Sequence, residues 1–294
     1  MYYRRKILLS LLEVFDGKLD KIALQKLLFL ISVQQEKNSY YFVPYKLGCF
    51  SFQANSDLGT LKKYKQVSET ETEWEKTDVK DYFPELKSID KIAINHVKKH
   101  FGSLTRDELI KLTYIKYPYY SIKSTIASQV LNEDDLINVN KQNPLSSKTI
   151  LFTIGYEGIS LEQYLNKLII NDVKVLCDVR KNPLSMKYGF SKTQLSKACT
   201  GVGIDYVHIP ELGIQSDKRQ QLNSQADYDK LFAYYRAGVL KDETEKQKEI
   251  LILLQEKKRV ALTCFEANIY QCHRKHLAQS IANMEGFNHE LKHI

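Results

Sequence analysis

The chain has 294 residues, 43 Lys and Arg against 35 Asp and Glu for a formal net charge of +8, and five cysteines. That length holds two domains with cores of their own, and five cysteines without short spacings argue against a small disulfide scaffold and for a reducing, cytoplasmic setting. No run of about 18 apolar residues occurs, which argues against a membrane span, and the positive excess accommodates a nucleic acid without requiring one.

The opening MYYRRKILLSLLEVF places two arginines before an apolar run. Glu13 and Asp16 interrupt that run and its leucines recur at helical spacing, so residues 4–15 read as an amphipathic helix rather than a leader. Gly17 breaks the pattern, and Ile22, Leu24, Leu27, Leu28, Leu30 and Ile31 predict a second helix over 21–34. Residues 40–52, rich in aromatics with Pro44 and Gly48, read as irregular or extended chain, and 57–65 as helix. The charged stretch 69–80 reads as a surface hairpin or wing, and 89–101 as a helix ending at Gly102. Thr105 with Glu108 signals the cap of a helix over 106–113, which Tyr117-Pro118 stops. Residues 132–148 are polar and make the best domain joint. The first part, 1–140, is therefore expected to be a mainly helical, winged domain.

From 149 onward short β-type runs alternate with helical segments. Strands are predicted over 149–154, 173–179, 206–209 and 259–264, and helices over 159–168, 194–198, 228–235, 244–255 and 272–284. Such alternation means an α/β domain over 149–294, a mostly parallel sheet covered by helices. In that class working loops lie at the carboxyl ends of the strands. Gly155-Tyr156-Glu157-Gly158, Asp178-Val179-Arg180 and Cys264-Phe265-Glu266 all fall at such ends, so distant segments are expected to meet in one crevice.

Cys272 begins the last helix with His273, Arg274, Lys275 and His276 behind it. Free N–H groups and positive charge there favour a thiolate nucleophile or a bound anion; the alternative is a buried cysteine beside a solvated basic turn. Cys264 faces either the core or the crevice. Cys264, Cys272, His273 and His276 supply soft donors, but no close Cys-x-x-Cys pair anchors them, and no metal ligand is assigned. Glu266 and Glu157 are candidate acids or bases, and paired carboxylates could divide those roles. Asp178 and Arg180 flank one residue and share a face, so they pair with each other or meet a ligand, with Arg180 the preferred anion clamp. The basic, aromatic loop 181–192 is suited to covering a nucleotide or stacking on a base. His208, at another strand end, is either a base or structural. Phosphate-loop and dinucleotide glycine signatures are absent.

Taken together and in order, Thr153-Ile154-Gly155-Tyr156-Glu157-Gly158, Asp178-Val179-Arg180 with Pro183 and Ser185, Gly189-Phe190-Ser191, Tyr206 and His208 with Leu212-Gly213, and Cys264 and Glu266 followed by Cys272-His273-Arg274 resemble the domain of unknown function numbered 488. The resemblance implies a compact α/β domain with a polar site at Tyr156, Glu157, Asp178, Arg180, Cys264, Glu266, Cys272, His273 and Arg274; Phe265 departs from its alanine-like position. In the first half, Leu24-Gln25-Lys26-Leu27-Leu28-Phe29, Pro44-Tyr45-Lys46-Leu47-Gly48 and Leu112-Thr113 with Tyr117-Pro118 resemble the SocA-like or Panacea antitoxin-associated domain, with Gly48-Cys49 where glycine-proline is usual. That implies protein recognition near toxin–antitoxin or phage-defence systems. Two functions follow as expectations. One is an enzyme acting on a nucleotide, nucleic acid or other phosphate-bearing substrate; the other is a non-catalytic sensor or adaptor for an anionic ligand or nucleic acid. The sequence specifies neither a cofactor nor an oligomeric state.

Overall fold

Leucines at helical spacing, too many for one exposed face, drive the helices of the first part into a shared core. The computed structural model describes residues 1–215 and 222–294 and divides into units Met1–Asn143 and Pro144–Ile294. In the first unit, helices Tyr3–Val14, Lys21–Ser32 and Ser88–Phe101 bury Leu8, Leu12, Leu24, Leu28, Ile94 and Val97 together. Asp20 caps the second of these by accepting from the Ile22 and Ala23 amides, and Thr105 with Glu108 forms the expected capping box of Arg106–Lys116. Helix Phe52–Lys63 starts earlier than apolar spacing predicted because Ser51 caps it at the Ala54 amide.

Residues 40–52 are more regular than expected. Val43–Tyr45 pairs antiparallel with Gly48–Phe50, and the buried Lys26 ammonium donates to the Leu47 and Cys49 carbonyls, tying this hairpin to the second helix. The wing is a hairpin of Val67–Glu69 and Glu73–Lys76 pinned by buried Trp74. Lys18–Asp20 adds a third strand that no apolar alternation announced. Within the polar stretch 132–148, Glu133–Lys141 is helical, capped by Asn132, and buries only Val139.

The second unit's elements are numbered here from its own start: β1 (Ile150–Gly155), α1 (Leu161–Ile170), β2 (Val175–Asp178), α2 (Lys192–Gly201), β3 (Asp205–His208), α3 (Gln225–Ala237), α4 (Thr244–Lys257), β4 (Arg259–Cys264), α5 (His273–Ala282) and β5 (Glu290–His293). Every ladder is parallel, in the order β5-β1-β4-β2-β3. The central strands β1, β2 and β4 are almost wholly buried, as a sheet covered on both faces requires. β5 was not foreseen: its Glu, Leu, Lys and His make a largely exposed edge strand with no apolar run to reveal it.

Alternation along β4 separates the faces. Leu262 packs with Phe232 and Tyr235 of α3, Ile250 and Leu254 of α4, and Leu277 and Ile281 of α5, whereas the next residue, Thr263, accepts at 2.7 Å from Tyr164 of α1 on the other face. The chain thus leaves β1 toward one face and β4 toward the other. Adjacent parallel strands whose connections diverge leave a crevice beyond their carboxyl ends. Among the described residues no helix is long and apolar enough to cross a membrane.

In the first unit Asp57, 1% exposed, accepts from Arg4 Nε, Arg5 Nε at 2.8 Å and Tyr40 Oη at 3.1 Å. Asp57→Ala is expected to cost about 3 kcal/mol, since it strips a buried acceptor from two cations. Urea denaturation measures this; a loss below about 1 kcal/mol would place the cluster with surface ion pairs.

Candidate functional site

Strand register places the polar residues at one edge. Gly155 lies opposite Cys264 across β1 and β4, and Asp178 lies opposite Thr263 on β4 and His208 on β3. Beyond that edge is a cavity of about 320 Å³ lined by Tyr156, Arg180, Lys181, Asn182, Ser185, Cys264 and His273, with Leu184, Met186, Ile214 and Phe265 as its apolar surface.

One wall is built on Asp178, whose carboxylate is fully buried. Its Oδ1 accepts from Arg180 Nε at 2.8 Å and from the Arg180 amide at 3.2 Å; its Oδ2 accepts from Arg180 Nη2 and, at 2.6 Å, from Tyr206 Oη. Arg180 Nη1 reaches Tyr156 Oη at 2.7 Å. Burial works against the guanidinium charge, but Asp178 and Tyr156 more than offset it and hold the group protonated. Burial raises the Tyr156 and Tyr206 phenols, so both stay neutral, Tyr156 accepting from Arg180 and Tyr206 donating to Asp178. Asp178 is therefore committed to Arg180 and Tyr206 rather than presented as a proton acceptor. Arg180, the expected anion clamp, meets the cavity with its charge already matched.

Behind Tyr156, Phe190 stacks at 4.2 Å and 8°, fully buried, and Tyr164 meets Phe190 edge-on. The 181–192 loop was expected to offer its aromatics to a base. In the structure Phe190 braces Tyr156, Lys187 Nζ donates to the Tyr156 carbonyl at 2.6 Å, and Lys181, Asn182, Leu184, Ser185 and Met186 are the loop residues that line the cavity. His208 Nε2 lies 2.9 Å from the Arg180 carbonyl and is not among the lining residues, so it fixes the chain after β2. Gly213 is required there, because a Cβ would stand 2.2 Å from the Lys181 amide.

The opposite wall is the chain between β4 and α5. The Tyr156 and Glu157 amides donate to the Phe265 carbonyl, and Glu157, exposed, accepts from the Ala267 amide at 2.9 Å. Gly155 permits this approach, since a Cβ would lie 2.0 Å from the Glu266 carbonyl oxygen. Arg274, buried, donates through Nη1 to the Glu266 carbonyl and through Nη2 to that of Ala267 at 3.3 Å. It holds the loop and does not line the cavity. Glu266 Oε2 lies 3.1 Å from Cys264 Sγ.

Cys272 stands at the N-cap position of α5, at the helix start as expected, yet the expected thiolate does not follow. It is fully buried, and burial first, then contact with Cys264, push its thiol well up; Arg274 opposes this only in part. It is also absent from the cavity lining, where Cys264 and His273 stand instead. Sulfur and imidazole donors of Cys264, Cys272 and His273 all lie within 4.8 Å of one another. His276, grouped with them in the sequence, lies apart: Arg236 Nη1 is 3.1 Å from its Nδ1, its ring packs on Phe232, and burial with Arg236 and Lys275 lowers its pKa to about 4.

Sequence reasoning missed Tyr206 and Ile214 as site residues. Tyr206 stands two positions before His208 on β3, a spacing that marks a shared face; nothing in the sequence singled out Ile214.

The second unit is thus a parallel α/β domain with a polar cavity at the divergence of β1 and β4. Residues 160–281 match the model of the family described as Domain of unknown function DUF488. That span takes in Asp178, Arg180, Cys264, Glu266, Cys272, His273 and Arg274, and leaves Tyr156 and Glu157 just outside. No curated protein and no solved structure matches the chain.

Asp178→Ala is expected to cost about 3–5 kcal/mol by leaving the Arg180 charge buried without its counter-ion, against about 1 kcal/mol for Tyr206→Phe, which removes one hydrogen bond. Guanidinium denaturation compares them; near-equal losses would show that the ion pair does not organise this wall.

Proposed function

We propose that the second unit is an enzyme that acts on a phosphate-bearing substrate, a nucleotide or a nucleic-acid residue, in the cavity beyond β1, β2 and β4. The observation that carries this reading is the composition of that cavity, with the cations Arg180 and Lys181 and the polar groups of Asn182, Ser185 and Tyr156 on one side and Cys264 and His273 on the other. A volume of about 320 Å³ stands near the small end of ligand pockets, which favours one nucleotide unit over a dinucleotide. With Arg180 neutralised by Asp178, exposed Lys181 supplies the attraction for phosphate. Glu266 is not itself among the lining residues; half-buried and 3.1 Å from the Sγ of Cys264, which is, it is our candidate acid or base at that edge.

The pairing of Arg180 and Asp178 also suits a second reading, a sensor that binds an anionic ligand without turnover. We read the first unit as the partner-recognition part, in keeping with its resemblance to antitoxin-associated domains and a phage-defence setting. The segments that carry the resemblance pack together, with Lys26 holding the Leu47 carbonyl. Among the described residues no disulfide joins the cysteines, and we read the protein as cytoplasmic.

Calorimetry with nucleoside monophosphates, inorganic phosphate and short single-stranded oligonucleotides, with mass analysis of the products, tests the proposal. Lys181→Ala is expected to weaken binding about tenfold, the scale of one charge-assisted hydrogen bond. Glu266→Gln is expected to keep binding and lose turnover. Binding without conversion by the unmodified protein selects the sensor, and no binding of any phosphate compound overturns both.

A further inference from the structure

We propose that Cys264, Cys272 and His273 form a binding site for a thiophilic divalent cation, zinc foremost, with its fourth coordination position facing the cavity. The spacing of these residues argued against a metal because the cysteines stand eight apart with no tight pair. In the folded chain that distance is irrelevant, since the single turn Ile269–Gln271 returns the chain to the end of β4 and places Cys272 next to Cys264.

Three independent features of the geometry support the assignment. First, the donor atoms are close enough. A tetrahedral zinc with ordinary bond lengths sets sulfur and imidazole nitrogen about 3.5 Å apart and two sulfurs about 3.8 Å apart. Cys264 Sγ and His273 Nδ1 are 3.6 Å apart, and all three donors fall within 4.8 Å of one another. Second, the imidazole is turned the right way. His273 Nε2 is 3.1 Å from the Val179 carbonyl, an acceptor only, so Nε2 carries the proton and Nδ1 directs its lone pair toward the sulfur. A histidine that donates from its far nitrogen to a backbone carbonyl is the usual outer support of a metal ligand. Third, the three residues are at most 1% exposed, yet Cys264 and His273 line the cavity. Three protein donors with an open side toward a pocket is the arrangement of catalytic rather than structural zinc.

Binding releases the two thiol protons to solvent as two thiolate–metal bonds form. Glu266 lies outside the three-donor group and outside the cavity lining, with its Oε2 3.1 Å from Cys264 Sγ. The inference stands without the phosphate reading, since metal uptake is measured with no substrate present.

The test is metal content of the full chain, purified under reducing conditions, stripped by chelator and reloaded with zinc or cobalt(II). About one equivalent is expected, with cobalt giving the intense visible bands of a tetrahedral ion and a thiolate charge-transfer band in the near ultraviolet. Cys264→Ser, Cys272→Ser and His273→Ala are each expected to reduce uptake at least tenfold at micromolar metal, while Cys49→Ala, in the other unit, retains it. Because a ligand variant that fails to fold would lose metal for that reason alone, the cobalt titration of the unmodified protein decides. No uptake, or cobalt bound without the thiolate band, overturns the proposal, as does full retention of metal by all three ligand variants.

Discussion

The carboxylate of Asp178 has no exposure to water, and a bare charge in that position would cost several kcal/mol. It persists because Arg180 closes on it as a fork while Tyr206 and the Arg180 amide fill its other acceptor directions. The consequences spread outward from this one group. Tyr206 ties the end of β2 to β3, and Arg180, through Tyr156, ties it to the turn after β1. Three strand ends are thereby tied to one another through buried side chains. The same pairing cancels the charge of Arg180, and what the cavity offers an anion is set by Lys181 at its rim.

Much of the fold was legible in the amino-acid sequence, because the features that reveal it are local. The switch from helical spacing to short β-type runs near residue 149 identifies a parallel sheet, and Thr105 with Glu108 names its own helix start. Elements stabilised by distant partners leave weaker traces. Lys18–Asp20 and Glu290–His293 are short, polar edge strands whose reason for being extended is a neighbour far along the chain. Residues 40–52 look irregular in isolation, and their hairpin is ordered by Lys26 reaching across from a helix.

The candidate site was legible in location and less so in role. Residue type and strand-end position suffice to collect Tyr156, Arg180, Cys264 and His273 around one cavity, but role depends on what each side chain already holds. Cys272 illustrates the limit. A helix start and three basic neighbours argue for a thiolate; full burial beside a second thiol argues the other way and prevails, because desolvation of a buried anion outweighs the partial charge of a helix end. Burial is a property of the folded chain, and no local count of charges contains it. Arg274 likewise reads as an anion site from its neighbours, yet two backbone carbonyls occupy it.

Those two carbonyls connect the loop's geometry to its chemistry. No residue from Phe265 to Gln271 is fully buried, so core packing does not hold the segment. Gly155 lets the Glu266 backbone approach within the space of a missing Cβ, the Tyr156 and Glu157 amides grip the Phe265 carbonyl, and Arg274 holds the next two carbonyls from the helix side. A loop held at Phe265, Glu266 and Ala267 by the turn after β1 on one side and by α5 on the other returns Cys272 and His273 to Cys264, and that return is why residues eight positions apart bring their donors together. The glycine that ends β1 and the arginine after the cysteine-histidine pair thus act as positioning residues for side chains that neither of them needs to touch.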